Sequence, residues 1–160
     1  MELELKEYII KNHKQKYLNS CVPMSIELVL KLMNTVQLSY YDLQKELKDT
    51  PRSFKDFNGK VVNGVRMTLQ YDINRDSNFP LEQLFNTIQQ ELEQGRFVNC
   101  AWKNEKMQSY HAYVIYGYNE DEFLAITTDF HNREFEYITD MKTRLINSKG
   151  SDILTFKSEI

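Results

Sequence analysis

The sequence predicts an α+β fold in which helices come first along the chain and an antiparallel sheet follows. Apolar residues recur at helical spacing in residues 21–34 and again from Pro80. After residue 96 the apolar residues instead form short strand-like runs, two of them joined by an acidic turn at 119–122. A chain of 160 residues is long enough to bury a core, and we expect residues 1–160 to form a single domain.

Residues 21–34 predict a helix that is mostly buried, because polar residues occupy only one narrow stripe of its surface. The stripe consists of Glu27, Lys31 and Asn34. Pro23 falls in the first turn, where the missing N–H of proline costs nothing. The helix therefore has a clear N-terminus close to Cys21.

Two further helices are predicted from capping signals. One begins near Leu38, where Ser39 is a good N-cap and Leu43 stands at the position that completes a hydrophobic staple. The other runs from Pro80 through apolar residues at helical spacing to Gly95, which is typical of a helix C-terminus.

Strands are predicted from alternation and from turn signals. Residues 65–73 alternate apolar and polar side chains, as in a half-exposed strand, and Asn-Gly pairs at 58–59 and 63–64 favour hairpin turns nearby. Four more strands follow, with one short helix among them. The strands are predicted at 97–102, 111–118, 123–129 and 153–156, and the helix near 139–146.

Charge and hydropathy exclude several classes of protein. The chain carries 20 basic and 23 acidic residues, a net charge of −3, and no block of lysine or arginine, which argues against a nucleic-acid or anionic-membrane surface. No stretch is apolar enough for a membrane span, and the acidic N-terminus lacks the layout of a secretory signal. We expect a cytoplasmic protein; the sequence does not indicate an oligomeric state.

Cys21 is one of only two cysteines, and it opens the buried helix. Alone, it could be a small buried side chain, half of a disulfide with Cys100, or a nucleophile. A cytoplasmic chain favours two free thiols. A helix N-terminus and a neighbouring imidazolium both favour the thiolate, so a catalytic Cys21 is expected to have a lowered pKa.

His111 begins an apolar strand, and Asp129 ends the next one. If the connecting loop holds three residues, antiparallel pairing brings His111 directly opposite Asp129 on one face of the sheet. A loop of two or four residues would put the two side chains on opposite faces. With the first register, cysteine, histidine and aspartate supply a nucleophile, a base and a group that orients the base.

Gln15, six residues before Cys21, completes a pattern that resembles a known family. The pattern is glutamine, five residues, cysteine at a helix start, then HAYVIYGY at 111–118 and an aspartate at the end of the following strand. It is similar to papain-like cysteine peptidases, in particular the bacterial branch related to bacteriocin-leader (double-glycine) peptidases. The resemblance covers the glutamine–cysteine helix and about residues 81–156, but not residues 51–78.

The resemblance implies a papain-like fold, with a central N-terminal catalytic helix in a helical half that packs on an antiparallel sheet. It also implies roles for four residues. Cys21 would be the nucleophile, His111 the general base and acid, Asp129 the orienting group, and Gln15 an oxyanion-hole donor beside the Cys21 N–H. Val22 departs from the glycine usual in the family, and its bulk could narrow the cleft.

The sequence therefore predicts a cysteine peptidase or amidohydrolase acting on a peptide or amide through an acyl-thioester. A papain-like acyltransferase and a peptide-binding module without turnover remain alternatives. No cofactor is predicted, and no close pair of cysteines or histidines indicates a metal site. We expect Cys100 in the core, and His13 and His131 at the surface.

Overall fold

A computed structural model describes residues 1–48, 50–104, 109–128 and 135–159. Its centre is a seven-stranded sheet with the strand order β1-β2-β7-β3-β4-β5-β6, in which each ladder is antiparallel. The strands are β1 Val61–Val62, β2 Val65–Gln70, β3 Val98–Asn104, β4 Ser109–Tyr118, β5 Phe123–Thr128, β6 Phe135–Ile138 and β7 Ile153–Ser158. The helices are α1 Glu7–Asn12, α2 Cys21–Leu32, α3 Asp42–Leu47, α4 Leu81–Glu93 and α5 Met141–Asn147. The predicted mixture of helices and an antiparallel sheet is confirmed.

Helices cover both faces of the sheet, whereas the family resemblance implied a helical half that packs on it. Neighbouring residues of β4 explain the difference, because Val114 packs into the core beneath α1, α2 and α3, while Ile115 packs into the core beneath α4 and α5. Both faces of this strand are apolar, and each face needs its own cover to be removed from water. Among the described residues, no helix is long and apolar enough to cross a membrane.

The helix that opens with Cys21 begins where it was predicted and ends at Leu32, two residues early. It packs between the sheet and the other N-terminal helices, and its apolar side chains from Ile26 to Leu30 are fully buried. Glu27 and Lys31, expected as a polar stripe, are buried as well. Their partners lie on other parts of the chain and are described below with the candidate site.

The N-cap position of helix α3 is Tyr41, two residues later than Ser39, which the capping signals predicted. The backbone N–H groups of Leu43 and Gln44 donate to Glu27 Oε2 at 2.9 and 3.2 Å. A carboxylate from α2 thus satisfies the first amides of α3 in place of a local cap. The predicted start was wrong because the capping group is distant in sequence.

Residues 51–78, which the family resemblance did not cover, contribute the two strands β1 and β2 to the same sheet. Asn63 and Gly64 both have positive φ, as in a type I′ hairpin turn, and join β1 to β2. Strand β2 then pairs with β7, with Met67 opposite Phe156. The alternation predicted for this segment is confirmed over Val65–Gln70.

The turn between β4 and β5 contains four residues, Asn119–Glu122, and not three. A bulge between Ile115 and Gly117 absorbs the extra residue, so that Val114 pairs with Ile126. Below the bulge, the two strands therefore have the register that a three-residue loop would give. Asp129 itself lies outside the described residues.

Gly117 at this bulge also makes room for the N-terminal segment, because Glu2 forms a β-bridge with it. A Cβ at position 117 would lie 2.6 Å from the carbonyl oxygen of Met1. Only glycine permits this approach of two backbones.

Candidate active site

Cys21 is the first residue of α2 and is partly exposed. Helix α2 packs on β4, and the backbone of Ala112, the residue after His111, favours the thiolate of Cys21 by hydrogen bonding, as do the N–H groups of Val22 and Cys21. Burial outweighs these hydrogen bonds and raises the pKa of the Cys21 thiol above its ordinary value. The lowered pKa expected from the sequence is not found in this structure.

His111 lies near the start of β4 and is partly buried. Its Nε2 lies 2.6 Å from Thr127 Oγ1, and its ring packs edge-to-face with Tyr113. Thr127 Oγ1 in turn donates to the carbonyl oxygen of Ala112 at 2.9 Å. The hydroxyl group of Thr127 therefore joins the start of β4 to β5, and β4 is the strand on which the helix of Cys21 packs.

Gln15 is buried in the segment before α2. Its Nε2 donates to the carbonyl oxygens of Tyr17 and Leu18, at 3.0 and 3.1 Å, while its Oε1 is buried and has no partner among the described residues. Both hydrogens of the amide are thus engaged within a local turn. An oxyanion would have to compete with the two carbonyl oxygens for them.

The side chain of Gln44 on α3 hydrogen-bonds to the backbone of the residues before and after Gln15. Its Nε2 donates to the carbonyl oxygen of Lys14 at 2.9 Å, and its Oε1 accepts from the N–H of Lys16 at 2.7 Å. Ser20, the residue before Cys21, also donates to Gln44 Oε1 at 2.9 Å. A carbonyl can only accept and an N–H can only donate, so these contacts fix the orientation of the amide. One buried side chain thus pairs with the segment before Cys21 as a neighbouring strand would.

The carboxylate of Glu27 on α2 accepts a hydrogen bond from the side chain of Gln44. Its Oε1 accepts from Gln44 Nε2 at 2.8 Å, and its Oε2 caps α3. Burial raises the pKa of Glu27 to about 7, although the hydrogen bonds from Gln44 and Leu43 and the charge of Lys31 oppose the rise. The segment carrying Gln15 is therefore anchored to α2 through two buried side chains.

His13 is buried, so the prediction of a surface position was wrong. Its ring stacks on Tyr41 at a centroid distance of 5.3 Å, Nε2 lies 2.8 Å from the carbonyl oxygen of Met24, and Nδ1 lies 2.9 Å from Lys31 Nζ. Because the carbonyl accepts, Nε2 carries the hydrogen, and Nδ1 accepts from the ammonium. Burial, with the charges of Lys31 and Lys16, lowers the pKa of His13 to about 3. His131 lies outside the described residues.

Lys31 completes this buried group. Its Nζ lies 3.7 Å from the centroid of the Tyr41 ring, a cation–π contact. Burial lowers the pKa of Lys31 to about 8, against the favourable charge of Glu27. A local sequence pattern could not reveal this cluster, because Tyr41 and His13 come from outside the helix.

The side chains of Val22 and Cys100 are buried in the two hydrophobic cores. Val22 is 7% exposed, and its side chain packs into the core beneath α2, so its bulk points into the protein interior. Cys100 is fully buried in the core beneath α4 and α5, as predicted, and both cysteines are free thiols.

Sequence reasoning missed Thr127 and Gln44. Thr127 stands two residues before Asp129, hence on the same face of the predicted strand, and that alternation was the available signal. No local signal marks Gln44, because its side-chain partners precede it by 17 to 30 residues.

Comparison with known protein families identifies the family of this chain. The model of the Peptidase_C39 like family matches residues 7–147. This match confirms the resemblance to papain-like cysteine peptidases of the bacteriocin-leader branch. No curated protein sequence matches the chain.

Proposed function

This chain belongs to the Peptidase_C39 like family, and we propose that it is a cysteine peptidase or amidohydrolase that cleaves an amide bond through an acyl-thioester. One observation carries the proposal. Cys21 opens α2, and α2 packs on β4, the strand that carries near its start the histidine expected to be the base. A nucleophile at a helix N-terminus beside a base is the arrangement that thiol catalysis requires.

In the first half-reaction, His111 takes the proton of the Cys21 thiol, and the sulfur attacks the carbonyl carbon of the amide. The carbon–nitrogen bond then breaks, and His111 gives its proton to the departing amine. A raised thiol pKa is compatible with this order, because the proton moves as the nucleophile attacks and no resting thiolate is needed.

In the second half-reaction, His111 removes a proton from water, and the resulting hydroxide attacks the thioester carbonyl. The carbon–sulfur bond breaks, the acid is released, and Cys21 regains its proton. An amine in place of water would give acyl transfer, which is the closest alternative activity.

The negative charge on the tetrahedral intermediate needs donors. We propose the N–H of Cys21 and the side-chain amide of Gln15. A charged oxygen is a stronger acceptor than the carbonyl oxygens of Tyr17 and Leu18, which take the Gln15 hydrogens in this structure. Asp129 is proposed as the group that orients His111, on the basis of the family pattern.

A peptide-binding module without turnover is the second candidate. Two observations favour it: burial raises the pKa of Cys21, and the amide of Gln15 is engaged in a local turn. A mechanism-directed electrophile, such as a peptidyl fluoromethyl ketone, combined with a peptide library, distinguishes the two candidates. Labelling of Cys21 together with cleavage supports the peptidase; a wild-type chain that binds peptides but cleaves none contradicts it.

The pH profile of Cys21 alkylation by iodoacetamide gives a second test. A thiolate paired with His111 would inflect well below the ordinary thiol value of about 8.5 and move upward in His111→Ala. An inflection above about 8.5 in both chains would show that Cys21 rests as a neutral thiol, and peptide cleavage would then decide between the two candidates.

Gln15→Ala tests the oxyanion role. We expect the catalytic constant to fall by roughly a hundredfold or more, the usual result of removing one oxyanion donor. Alkylation of Cys21 by iodoacetamide should persist, because that step forms no oxyanion. Equal loss of both activities would indicate that Gln15 maintains the local fold.

A further inference from the structure

Thr127 makes two hydrogen bonds that together determine where the protons lie. Its Oγ1 lies 2.9 Å from the carbonyl oxygen of Ala112 and 2.6 Å from Nε2 of His111. A carbonyl oxygen can only accept, so the single hydrogen of the hydroxyl is directed at Ala112. The oxygen is then left with lone pairs toward His111, and Nε2 must be the donor of the shorter contact.

The surroundings hold this hydroxyl in place. Thr127 is 3% exposed, and its strand pairs with β4 on one side and β6 on the other. A β-branched side chain in a central strand has few rotamers, and here one of them satisfies both polar contacts. The position of the hydroxyl is therefore set by the sheet.

We propose that Thr127 is a positioning residue that holds His111 in the tautomer with hydrogen on Nε2 and a lone pair on Nδ1. This inference deepens the proposed peptidase function, on which its catalytic consequence rests. In the Nε2–H tautomer, Nδ1 is the nitrogen able to take the proton of Cys21. The hydrogen bond that one ring nitrogen donates determines that the other nitrogen keeps its lone pair, and here Nε2 is the donor.

The structural claim has its own spectroscopic readout. Long-range proton–nitrogen correlation spectra of protein with isotope-labelled histidine distinguish the two neutral tautomers and the cation. His111→Gln identifies the His111 signals among those of the three histidines. We expect the Nε2–H form for neutral His111 in the wild type and in Thr127→Ser, which keeps the hydroxyl. Thr127→Val, which has nearly the same shape but no acceptor, should shift His111 toward the Nδ1–H form.

Thr128→Val is a matched control, because it makes the same change one residue later. Thr128 is fully buried, and its hydroxyl has no hydrogen-bond partner among the described residues. Its loss should leave the His111 tautomer unchanged. Urea unfolding of each variant verifies folding, and Thr127→Ala is the replacement if Thr127→Val does not fold.

The functional readout is the rate at which a peptidyl fluoromethyl ketone labels Cys21. We expect Thr127→Val to slow labelling by about 10- to 100-fold, the range found when a metal-ligating histidine loses the group that orients it. Thr127→Ser should recover most of the rate, and Thr128→Val should match the wild type.

Three results would overturn the inference. They are an Nδ1–H tautomer of His111 in the wild type, an unchanged tautomer in Thr127→Val, or a tautomer that shifts in Asp129→Asn but not in Thr127→Val. The last result would assign the orienting role to Asp129. If the tautomer responds to Thr127 as expected and the wild type cleaves no peptide, the peptidase proposal fails while the positioning role of Thr127 stands.

Discussion

Replacement of His13 by glutamine should change how the stability of the fold depends on pH. In the native state the neutral ring donates through Nε2 to Met24 and accepts at Nδ1 from Lys31. A proton added to Nδ1 would face the Lys31 ammonium and remove that hydrogen bond. Glutamine offers an N–H for Met24 and an oxygen for Lys31 but does not titrate, so His13→Gln removes the proton equilibrium while keeping the contacts.

The expected size follows from the two pKa values. His13 has a folded pKa of about 3 and an ordinary value of 6.5, so between these limits the unfolded chain binds more protons than the native state. The His13 contribution to stability is complete above pH 6.5 and is lost as the pH falls toward 3, at about 1.4 kcal/mol per pH unit. Glu27 acts in the opposite direction, because its pKa rises from 4.5 to about 7. Its contribution is complete below pH 4.5 and is lost as the pH rises toward 7.

Between pH 4.5 and 6.5 the pH dependences that His13 and Glu27 give to the stability of the wild type cancel. Without His13, only the pH dependence from Glu27 remains. The free energy of unfolding of His13→Gln should therefore fall by roughly 3 kcal/mol relative to wild type over these two pH units. Urea denaturation followed by the fluorescence of the single tryptophan, Trp102, measures the difference at each pH. Glu27→Gln should show the opposite slope. Parallel profiles for wild type and His13→Gln would refute the reasoning.

Three further changes test other contacts. Gln44→Met leaves the Lys14–Lys16 backbone without its buried partner and should cost roughly 2 to 5 kcal/mol in urea denaturation; exposed Gln90→Met should change stability by less than about 0.5 kcal/mol. Equal effects of the two would contradict the anchoring role. Gly117→Ala should lower the free energy of unfolding by about 1 to 3 kcal/mol, because its Cβ meets the Met1 carbonyl. That loss should disappear in a chain shortened by residues 1–2, and its persistence there would point to another cause. Cys100 should react with iodoacetamide only after unfolding, since it is fully buried, and labelling of the native protein would show otherwise.

The sequence was sufficient where the determinant is local. The burial and start of α2 follow from the apolar period after Cys21, and the β1–β2 hairpin follows from Asn63 and Gly64. The sequence also predicted the strand alternation over Val65–Gln70 and the order of glutamine, cysteine and histidine. The family was recognisable for the same reason, because its pattern is one of residue types at fixed spacing.

Only the tertiary structure decided how distant segments satisfy each other. The start of α3 depends on the carboxylate of Glu27, and the conformation around Gln15 depends on Gln44. The burial of His13 depends on Lys31 and the ring of Tyr41. Each polar group would be costly to bury without its partner, and no local pattern predicts a partner that the chain brings from elsewhere.

The register of β4 and β5 shows the same division. Alternation in the sequence placed His111 and Asp129 on one face only if the loop had three residues. The chain has a four-residue turn, and a bulge at Gly117, which the backbone of Met1 and Glu2 approaches closely, restores the pairing of Val114 with Ile126. Residue identity thus determined which side chains were available for catalysis, whereas a bulge beside the N-terminal segment set the register of β4 and β5.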